Sequence, residues 1–333
     1  MHRFLYFGYY VKQLDRAKLF LFLNFAQKTS KKSKVYLLLD NLVSVFAYKI
    51  SILEYFQFGF YNKSNVERKK WAGTGYMYEY QLFMNPKSQR HILDDKTQFY
   101  KFYGEFFVHP VGDITDLKNK PNLAQDILNN QSGKIVLKVS DGKCGKGVLI
   151  MQSNDFTPET LITFMETEGY DLVEAFLVQH PDLNNLSPSA VNTVRVFTQL
   201  NKDNNVELLG SRLRISVNSS VDNMAAGNMA APIDEETGIV VGPGVYSDIS
   251  KQDEAIHPIT NAPIIGFQVP FWKETIAMVK QAALKHPQNR SIGWDVVITQ
   301  NGPGLIEGNH DWCKLLWQLP VKRGLKSMLE IYL

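Results

Sequence analysis

Residues 293–309 read GWDVVITQNGPGLIEGN, two apolar segments separated by a polar turn. Runs rich in Val and Ile on either side of Asn-Gly are typical of a β-hairpin, so we predict strands at residues 294–299 and 305–309. Three side chains with oxygen ligands lie within these otherwise apolar strands: Asp295, Glu307 and Asn309.

Side chains alternate along a strand, which places Glu307 and Asn309 on one face. If the hairpin is centred near Asn301, Asp295 lies opposite Glu307. Like charges directly opposite each other destabilise a sheet unless a cation lies between them. Oxygen ligands in this number suit Mg²⁺, which combines a few carboxylates with substrate phosphates. The alternative is two unrelated carboxylates beside a turn, but the spacing and the Glu-x-Asn arrangement favour a metal site.

A second polar stretch between apolar segments is residues 138–148, KVSDGKCGKGV. Its glycines allow the backbone N–H groups to approach an anion closely. The stretch lacks both the P-loop and the dinucleotide-binding patterns, and it leads into a strand where those motifs lead into a helix. Lys138, a cation inside an apolar strand, favours a phosphate-binding loop. The alternative is a plain hairpin in which Lys138 reaches solvent from an edge strand.

The remaining patterns predict an α+β fold. Helices are expected within residues 12–60, interrupted near residues 29–34, and at residues 158–168 and 273–285, with Thr157 as the N-cap of the second. Strands dominate the C-terminal half with few helices between them, which excludes a doubly wound sheet. The further predicted strands are residues 135–139, 148–151, 172–178, 193–200 and 207–217.

The chain has 333 residues, of which 44% are apolar and 21% charged, so it can form a core and is neither disordered nor fibrous. Two cysteines are too few for a disulfide scaffold or a thiolate zinc site, which favours a cytoplasmic protein. Cys144 has no evident His partner in sequence, and Cys313 is expected in the core. We expect a mature, soluble protein, because we find neither a signal cleavage site nor a run near the roughly 20 apolar residues of a membrane span.

Positive charge is concentrated in the N-terminal part of the chain. Residues 1–70 contain 13 Lys or Arg and 4 Asp or Glu, a charge of +9, so the remainder has −6 within the total of +3. This asymmetry indicates an anionic partner, whether a membrane surface, a polyanionic substrate or nucleic acid, unless it is only a solvated basic face. Nucleic acid ranks last, because no recognised nucleic-acid motif supports it. The aromatic run at residues 55–61 favours helix packing over base stacking, since it lacks interleaved basic residues. The densest cluster is Lys28, Lys31, Lys32 and Lys34.

Taken together, these residues resemble the ATP-grasp superfamily, which includes D-alanine–D-alanine ligase and the ribosomal-protein glutamate ligases. The similarity spans roughly residues 60–320, and one branch is closer than the others, the sugar-transfer-associated ATP-grasp proteins that are similar to α-L-glutamate ligases. The motifs of the superfamily are Asp95-Lys96, Lys138 before the glycine loop, Asp295, and Glu307 with Asn309. Those of the branch are Gln179-His180-Pro181, Asn192-Thr193-Val194-Arg195, Arg214, and Asp222-Asn223.

The resemblance implies two α+β lobes that hold ATP between them, preceded by a helical region. Residues 1–90 would form the basic helical region, residues 91–172 the lobe with the glycine loop, and residues 173–333 the lobe with the metal site. The implied metal ligands, for two Mg²⁺ ions, are Asp295, Glu307 and Asn309. The implied nucleotide-binding residues are Lys96, Lys138, Ser140, Gly142, Gly145, Gly147, Glu174 and His180.

Within that set, Glu174 would meet adenine at the hinge, and His180 would either touch ribose or hold a turn. Arg195 and Arg214 would lie near the γ-phosphate or the acyl phosphate, with Asn223 on a neighbouring loop. His310 is either a base or, as we favour, a supporting or surface residue. One departure concerns the loop after Asn223, where family members often have Gly-Gly and this chain has Ala-Gly-Asn.

The implied reaction is ATP-dependent joining of a carboxylate to an amine through an acyl phosphate. The family name associates it with surface polysaccharides, so the expected carboxylate is a uronic acid or nucleotide sugar and the expected amine an amino acid or amino alcohol. The expected location is the cytoplasm, with peripheral contact at the inner membrane surface. Two rivals remain: an ATP-binding scaffold in glycan assembly that ligates nothing, and a nucleic-acid binder with steep salt dependence.

Overall fold

A computed structural model describes residues 8–140 and 147–333 of the protein. Two antiparallel sheets form its framework, one of four strands and one of six. The helices in the described ranges are Arg16–Ser30, Lys34–Tyr48, Ile52–Gln57, Asn65–Arg68, Thr74–Met84, His91–Asp94, Lys96–Tyr103, Ile114–Asn119, Pro121–Leu128, Pro158–Glu168, Pro181–Leu186, Trp272–Lys285, Lys314–Gln318 and Lys326–Glu330. None of them is long and apolar enough to cross a membrane.

The small sheet packs one face on a hydrophobic core. Its order is β1-β4-β2-β3, with β1 at Val111–Asp113, β2 at Lys134–Lys138, β3 at Val148–Gln152 and β4 at Leu172–Ala175. Ile135, Leu137 and Val173 point into a core formed with three helices between residues 114 and 168. Since side chains alternate, Lys138 and Glu174 lie on the opposite face.

The large sheet has the order β10-β9-β5-β6-β7-β8. Its strands are β5 (Thr193–Leu200), β6 (Val206–Ile215), β7 (Met229–Ile233), β8 (Val245–Tyr246), β9 (Ser291–Thr299) and β10 (Gly302–Asn309). One face packs against helix Trp272–Lys285 through Val194, Val196 and Val296. Arg195, which alternates with these valines, therefore belongs to the other face, together with its register partner Asp295.

The N-terminal helices pack against the face of the large sheet that includes Arg195. Their buried side chains, among them Phe22 and Tyr55, form one hydrophobic core with Phe197 and Ala230 of the sheet and with Trp317 near the C-terminus. Burial of aromatic side chains of this size is the main stabilising contribution available to such a core. The helical region and the C-terminal segment are therefore joined by a continuous interior.

Most predicted elements are confirmed within a few residues. Helix Pro158–Glu168 has the predicted bounds, and the Thr157 hydroxyl accepts a hydrogen bond from the Thr160 N–H as its N-cap. The predicted strand 172–178 is too long, since β4 ends at Ala175. Its neighbour β2 begins at Lys134. Residues 176–178 are apolar, but they lie at and beyond the start of β2 and so have little strand beside them to pair with. They begin the connection between the two sheets instead.

A buried ion pair joins the N-terminal helices to the C-terminal segment. The Glu54 carboxylate, 1% exposed, accepts hydrogen bonds from the Ser51 and Thr74 N–H groups at 2.7 and 3.0 Å, and lies 3.0 Å from Lys314 Nζ. Burial alone would raise the pKa of Glu54, but Lys314, the Thr74 hydroxyl and the backbone donors outweigh it, and the pKa lies below its usual 4.5.

Because this pKa is lowered by folding, the Glu54 charge stabilises the fold fully above about pH 4.5 and progressively less as the pH falls through the folded-state pKa. We expect Glu54→Gln to cost about 3 kcal/mol at neutral pH, since it leaves the largely buried Lys314 without its partner. Urea unfolding of both proteins at neutral and acidic pH measures the difference, which should shrink in acid. A difference that stays constant with pH contradicts this role.

Candidate active site

The hairpin of β9 and β10 brings the two predicted carboxylates together. Glu307 is the register partner of Asp295, as predicted, and Asn309 is the partner of Gly293. A bulge between Leu305 and Glu307 produces this alignment, because regular pairing would place Ile306 opposite Asp295. An extra residue in one strand therefore directs the Glu307 carboxylate to the face of Asp295.

Two arginines bind Asp295 from neighbouring strands. Arg195 makes a bidentate contact, in which Nε donates to Oδ1 and a terminal nitrogen donates to Oδ2 at 2.8 Å. Arg214 donates to the same Oδ2 at 2.9 Å. A second terminal nitrogen of Arg214 lies 2.5 Å from Asp222, so two arginines and two aspartates form one network on the sheet. Asp295 and Arg195 are 4% and 6% exposed, which makes these charges strongly dependent on one another.

The two paired carboxylates differ in their electrostatics. Burial tends to raise the pKa of Asp295, but Arg195 and Arg214 outweigh it and hold that pKa far below its usual range. Burial and the neighbouring Asp295 both raise the pKa of Glu307. The Glu307 side chain still reaches solvent, although protein atoms surround most of its carboxyl group, so solvent moderates this shift. Glu307 is thus a carboxylate that is held beside a negative charge and is accessible to solvent.

This arrangement fits a magnesium ion. Within residues 8–140 and 147–333 no cluster of three or more His, Cys, Asp or Glu is placed to hold a metal, so the protein would supply two carboxylates and one amide. Mg²⁺ characteristically completes such a set with phosphate oxygens and water. The Asn309 amide nitrogen donates to Glu307 Oε1 at 3.1 Å and weakly to the Gly293 carbonyl, which leaves its oxygen as the atom for a cation. A cation here would also relieve the like-charge contact between Asp295 and Glu307.

A second charged cluster lies on the face of the small sheet opposite its hydrophobic core. Lys138 Nζ contacts Glu174 Oε1, and His109 Nε2 lies 3.3 Å from Glu174 Oε2. Burial would raise the pKa of Glu174, yet Lys138 and His109 lower it to about 2. The lysine and the glutamate predicted to meet the nucleotide are thus in direct contact, and His109 joins them.

The predicted loop residues are only partly described. Lys96 Nζ lies 3.2 Å from the Val139 carbonyl, at the strand end where the loop begins. The Ser140 N–H donates to Asp171 at 2.6 Å. Gly147 has a φ of +71°, and a Cβ there would lie 2.1 Å from Val139, so the position requires glycine. The other loop residues singled out from the sequence lie outside the described residues: Gly142, Cys144 and Gly145.

His180 lies at the start of helix Pro181–Leu186, where Nδ1 accepts a hydrogen bond from the Asp182 N–H at 3.2 Å. Its ring meets Phe271 edge-on, and its backbone N–H donates to the Ile298 carbonyl. These contacts make it a helix cap beside the large sheet. A contact of His180 with ribose stays a prediction.

The loop that departs from the family pattern is held by Asn228. Its Oδ1 accepts from the Val217 N–H at 2.7 Å, while its Nδ2 donates to the carbonyls of Val221 and Asn223. Asn223 itself is exposed, and its side chain caps the short turn that follows. The residue that replaces the second glycine therefore closes the loop, and the preceding Gly227, at φ +92°, supplies the turn.

The structure shows His310 buried at 8% exposure, with Nε2 lying 3.1 Å from Asp94. It thus links the end of β10 to helix His91–Asp94, which agrees with a supporting position. Cys313 was expected in the core, and this is wrong: it is exposed, at the N-cap of helix Lys314–Gln318. The core there is filled by Trp312 and Trp317 on either side.

Three residues of the site have no assigned role in the sequence-based prediction. Asp222 holds Arg214 and also accepts from the Thr193 N–H at 2.8 Å. His109 pairs with Glu174, and Asp94 pairs with His310. Of these three, only Asp222 belonged to a motif recognised in the sequence, the Asp222-Asn223 pair that resembles the family. Lys96 and Glu307 belong to different elements, helix Lys96–Tyr103 and β10.

Comparison with known proteins identifies a family over most of the chain. The family described as sugar-transfer associated ATP-grasp matches residues 76–331. No curated protein is significantly similar to the chain.

The solved structures with detectable similarity are distant. Biotin carboxylase from Campylobacter jejuni is 12% identical with a TM-score of 0.44, over 72% of this chain and 46% of that one. D-alanyl-alanine synthetase A from Vibrio cholerae is 14% identical with a TM-score of 0.37, over 72% and 61%. N5-carboxyaminoimidazole ribonucleotide synthetase from Thermus thermophilus is 10% identical with a TM-score of 0.38, over 68% and 48%. The chain covers between 46% and 61% of the length of these proteins.

Proposed function

The chain belongs to the sugar-transfer associated ATP-grasp family, and from that premise we propose that it is an ATP- and Mg²⁺-dependent ligase that joins a carboxylate to an amine. The observation that supports this most is the convergence of Arg195 and Arg214 on Asp295 beside Glu307. Fixed cations next to a metal-binding carboxylate pair are what transfer of a phosphoryl group requires.

We assign the nucleotide to the space between the lobes. Lys138 and Lys96 provide cations for its phosphates, and we assign Ser140, Gly142, Gly145 and Gly147 to the same phosphates. We assign residues 91–172 and 173–333 to the two lobes and residues 1–90 to the helical support. We assign Glu174 to the adenine base, and its contact with Lys138 also allows it to hold that lysine in position. Asp295, Glu307 and Asn309 would hold Mg²⁺, up to two ions, and the metal would neutralise charge on the phosphates.

We propose that Arg195 stabilises the transferring group. Its bidentate contact with Asp295 occupies one edge of the guanidinium and fixes its plane, which leaves the other edge directed away from Asp295. We assign that edge to an oxygen of the γ-phosphoryl group or of the acyl phosphate. Arg214, held by Asp295 and Asp222, adds a second fixed positive charge, and the Asn223 loop borders the acceptor.

The chemistry is written in two steps. A carboxylate oxygen of the substrate attacks the γ-phosphorus, the bond to the β-phosphate oxygen breaks, and ADP leaves with an acyl phosphate formed. The amine nitrogen then attacks the acyl carbon, inorganic phosphate leaves with the C–O bond electrons, and the amine loses a proton. The fixed arginines stabilise the negative charge that develops in each step.

For the substrates, we propose a uronic acid or another sugar-linked carboxylate and an amino acid or amino alcohol, in surface polysaccharide synthesis. The family description supports a connection with sugar transfer, and the basic N-terminal region suits an anionic acceptor. For the location, we propose the cytoplasm at the inner membrane surface.

The test is a matrix of uronic acids and nucleotide sugars against amino acids and amino alcohols, read by ADP release and by product mass. One pair should release ADP in equal amount with an amide product. Binding of Mg-ATP with no ADP release from any pair would replace this proposal with that of a non-ligating scaffold.

The acyl phosphate has its own expected result. Hydroxylamine should replace the natural amine and give a hydroxamate of the carboxylate substrate, because an acyl phosphate is open to any strong nucleophile. The hydroxamate is measured by its iron complex and by mass, with ATP hydrolysis followed in parallel. Cleavage of ATP to AMP and pyrophosphate would show an adenylate and contradict this mechanism.

A further inference from the structure

Helix Lys34–Tyr48 has an apolar surface that faces solvent. Its buried side, which includes Leu37, Ser44 and Val45, packs on the rest of the helical region. Eight of its residues are exposed, and Lys34 is the only polar one, so the solvent side is almost as apolar as the buried side. We call this surface the outer face; its exposed large side chains are Val35, Tyr36, Leu38, Leu39, Leu42 and Val43.

The degree of exposure is high. Val35, Leu39 and Val43, spaced four residues apart on one side of the helix, are 68%, 60% and 63% exposed. Helix Arg16–Ser30, which packs beside it, exposes Phe20 at 62%. Scattered exposed apolar residues are ordinary, but a contiguous apolar helix side marks an interaction surface.

Lysines surround one end of the outer face. Lys28, Lys31 and Lys34 are exposed at the turn between the two helices. Residues 16–39 contain six Lys or Arg and no Asp or Glu. The next acidic residue, Asp40, is bound by Arg68 through two contacts of 2.7 Å, so it does not offset these charges. The surface is therefore apolar along the helix and uncompensated positive at its end.

We propose that the outer face and its lysines bind an anionic lipid surface, with helix Lys34–Tyr48 lying in the membrane plane. An apolar side that enters the acyl boundary beside basic residues that meet the headgroups is the arrangement of interfacial helices. A dimer through the same face would account for its apolar side chains but not for the uncompensated lysines at its end, whereas an anionic lipid surface accounts for both. This proposal rests on the membrane location proposed above and does not depend on the proposed chemistry.

The test is sedimentation of the intact protein with vesicles of phosphatidylcholine, alone or mixed with phosphatidylglycerol. Binding should require the anionic lipid and weaken with salt. The triple variant Lys28→Gln, Lys31→Gln, Lys34→Gln should bind about a hundredfold more weakly, since each lysine near an anionic surface contributes about fivefold. The variant Val35→Gln, Leu39→Gln, Val43→Gln should also lose at least about a hundredfold.

Matched controls lie elsewhere on the protein. Lys202, Lys273 and Lys280 are exposed lysines outside the helical region, and their change to Gln removes the same charge. Val241, Ile256 and Ile259 are exposed at 53–59%, and their change to Gln removes similar apolar area. Both controls should bind vesicles as the unchanged protein does, and circular dichroism should show all four variants folded.

Three results overturn the proposal: no binding of the unchanged protein to anionic vesicles, equal loss in the controls, or retained binding in both outer-face variants. Sedimentation velocity adds a further outcome. The unchanged protein could instead form a dimer and fail to bind vesicles. If the changes at Val35, Leu39 and Val43 then dissociate that dimer, the outer face is an interface between copies. Mg-ATP binding by the outer-face variants shows whether the nucleotide site is intact, so failure here is separate from failure of the ligase proposal.

Discussion

Glu307→Gln is expected to lower ADP release by about 10²–10³-fold while the protein stays folded, the loss typical of removing one preorganised charge-stabilising group. The substitution keeps the volume of the side chain and removes its charge. Because the Glu307 side chain reaches solvent, loss of its charge leaves no deeply buried group unpaired. It also removes the like-charge contact with Asp295, so the stability of the fold should not fall.

The comparison variant is Glu236→Gln, which removes the same charge from an exposed turn away from β9 and β10. Steady-state ADP release and the concentration dependence on Mg²⁺ should be measured for both, with thermal melting as the check on folding. Glu307→Gln should also need more Mg²⁺ to reach half its residual rate. Near-normal Mg²⁺-dependent turnover by this variant would remove Glu307 from the site.

Asp295→Asn is expected to affect stability as well as activity. Asp295 is the shared anion of two buried arginines, so its loss leaves Arg195 and Arg214 with too little negative charge. Removing one partner of a buried ion pair costs about 3–5 kcal/mol, because the remaining charge stays desolvated. Activity should fall to background in addition, since both the arginine positions and a proposed metal ligand are lost.

Urea unfolding measures the first effect, with Glu166→Gln as the reference. Glu166 pairs with Lys118 on the surface, both about half exposed, and its loss should cost less than about 1 kcal/mol. A second variant, Asp295→Leu with Arg195→Met, replaces the bidentate pair by apolar groups and should recover part of the stability but no activity. An unchanged unfolding midpoint for Asp295→Asn would contradict the network described here.

Local pattern was sufficient for the elements and for the pairing at the site. The alternation of apolar residues in 193–200 and the Thr157 cap are short-range signals, and the structure has β5 and helix Pro158–Glu168 with those bounds. The opposition of Asp295 and Glu307 was predicted from the turn between them. The bulge that produces it could not be predicted, because a one-residue shift in register depends on how the whole sheet packs.

The contacts that organise the site join residues far apart in the chain, and no local pattern encodes them. Asp222 reaches Thr193 and Arg214, and His109 reaches Glu174 across 65 positions, because folding places their strands and loops side by side. Helix Lys34–Tyr48 is a second example of what the sequence does not encode. Apolar residues lie all around this helix, so its sequence predicts a helix but not which side is covered. The packing of its neighbours leaves Leu39 in solvent and buries Leu37.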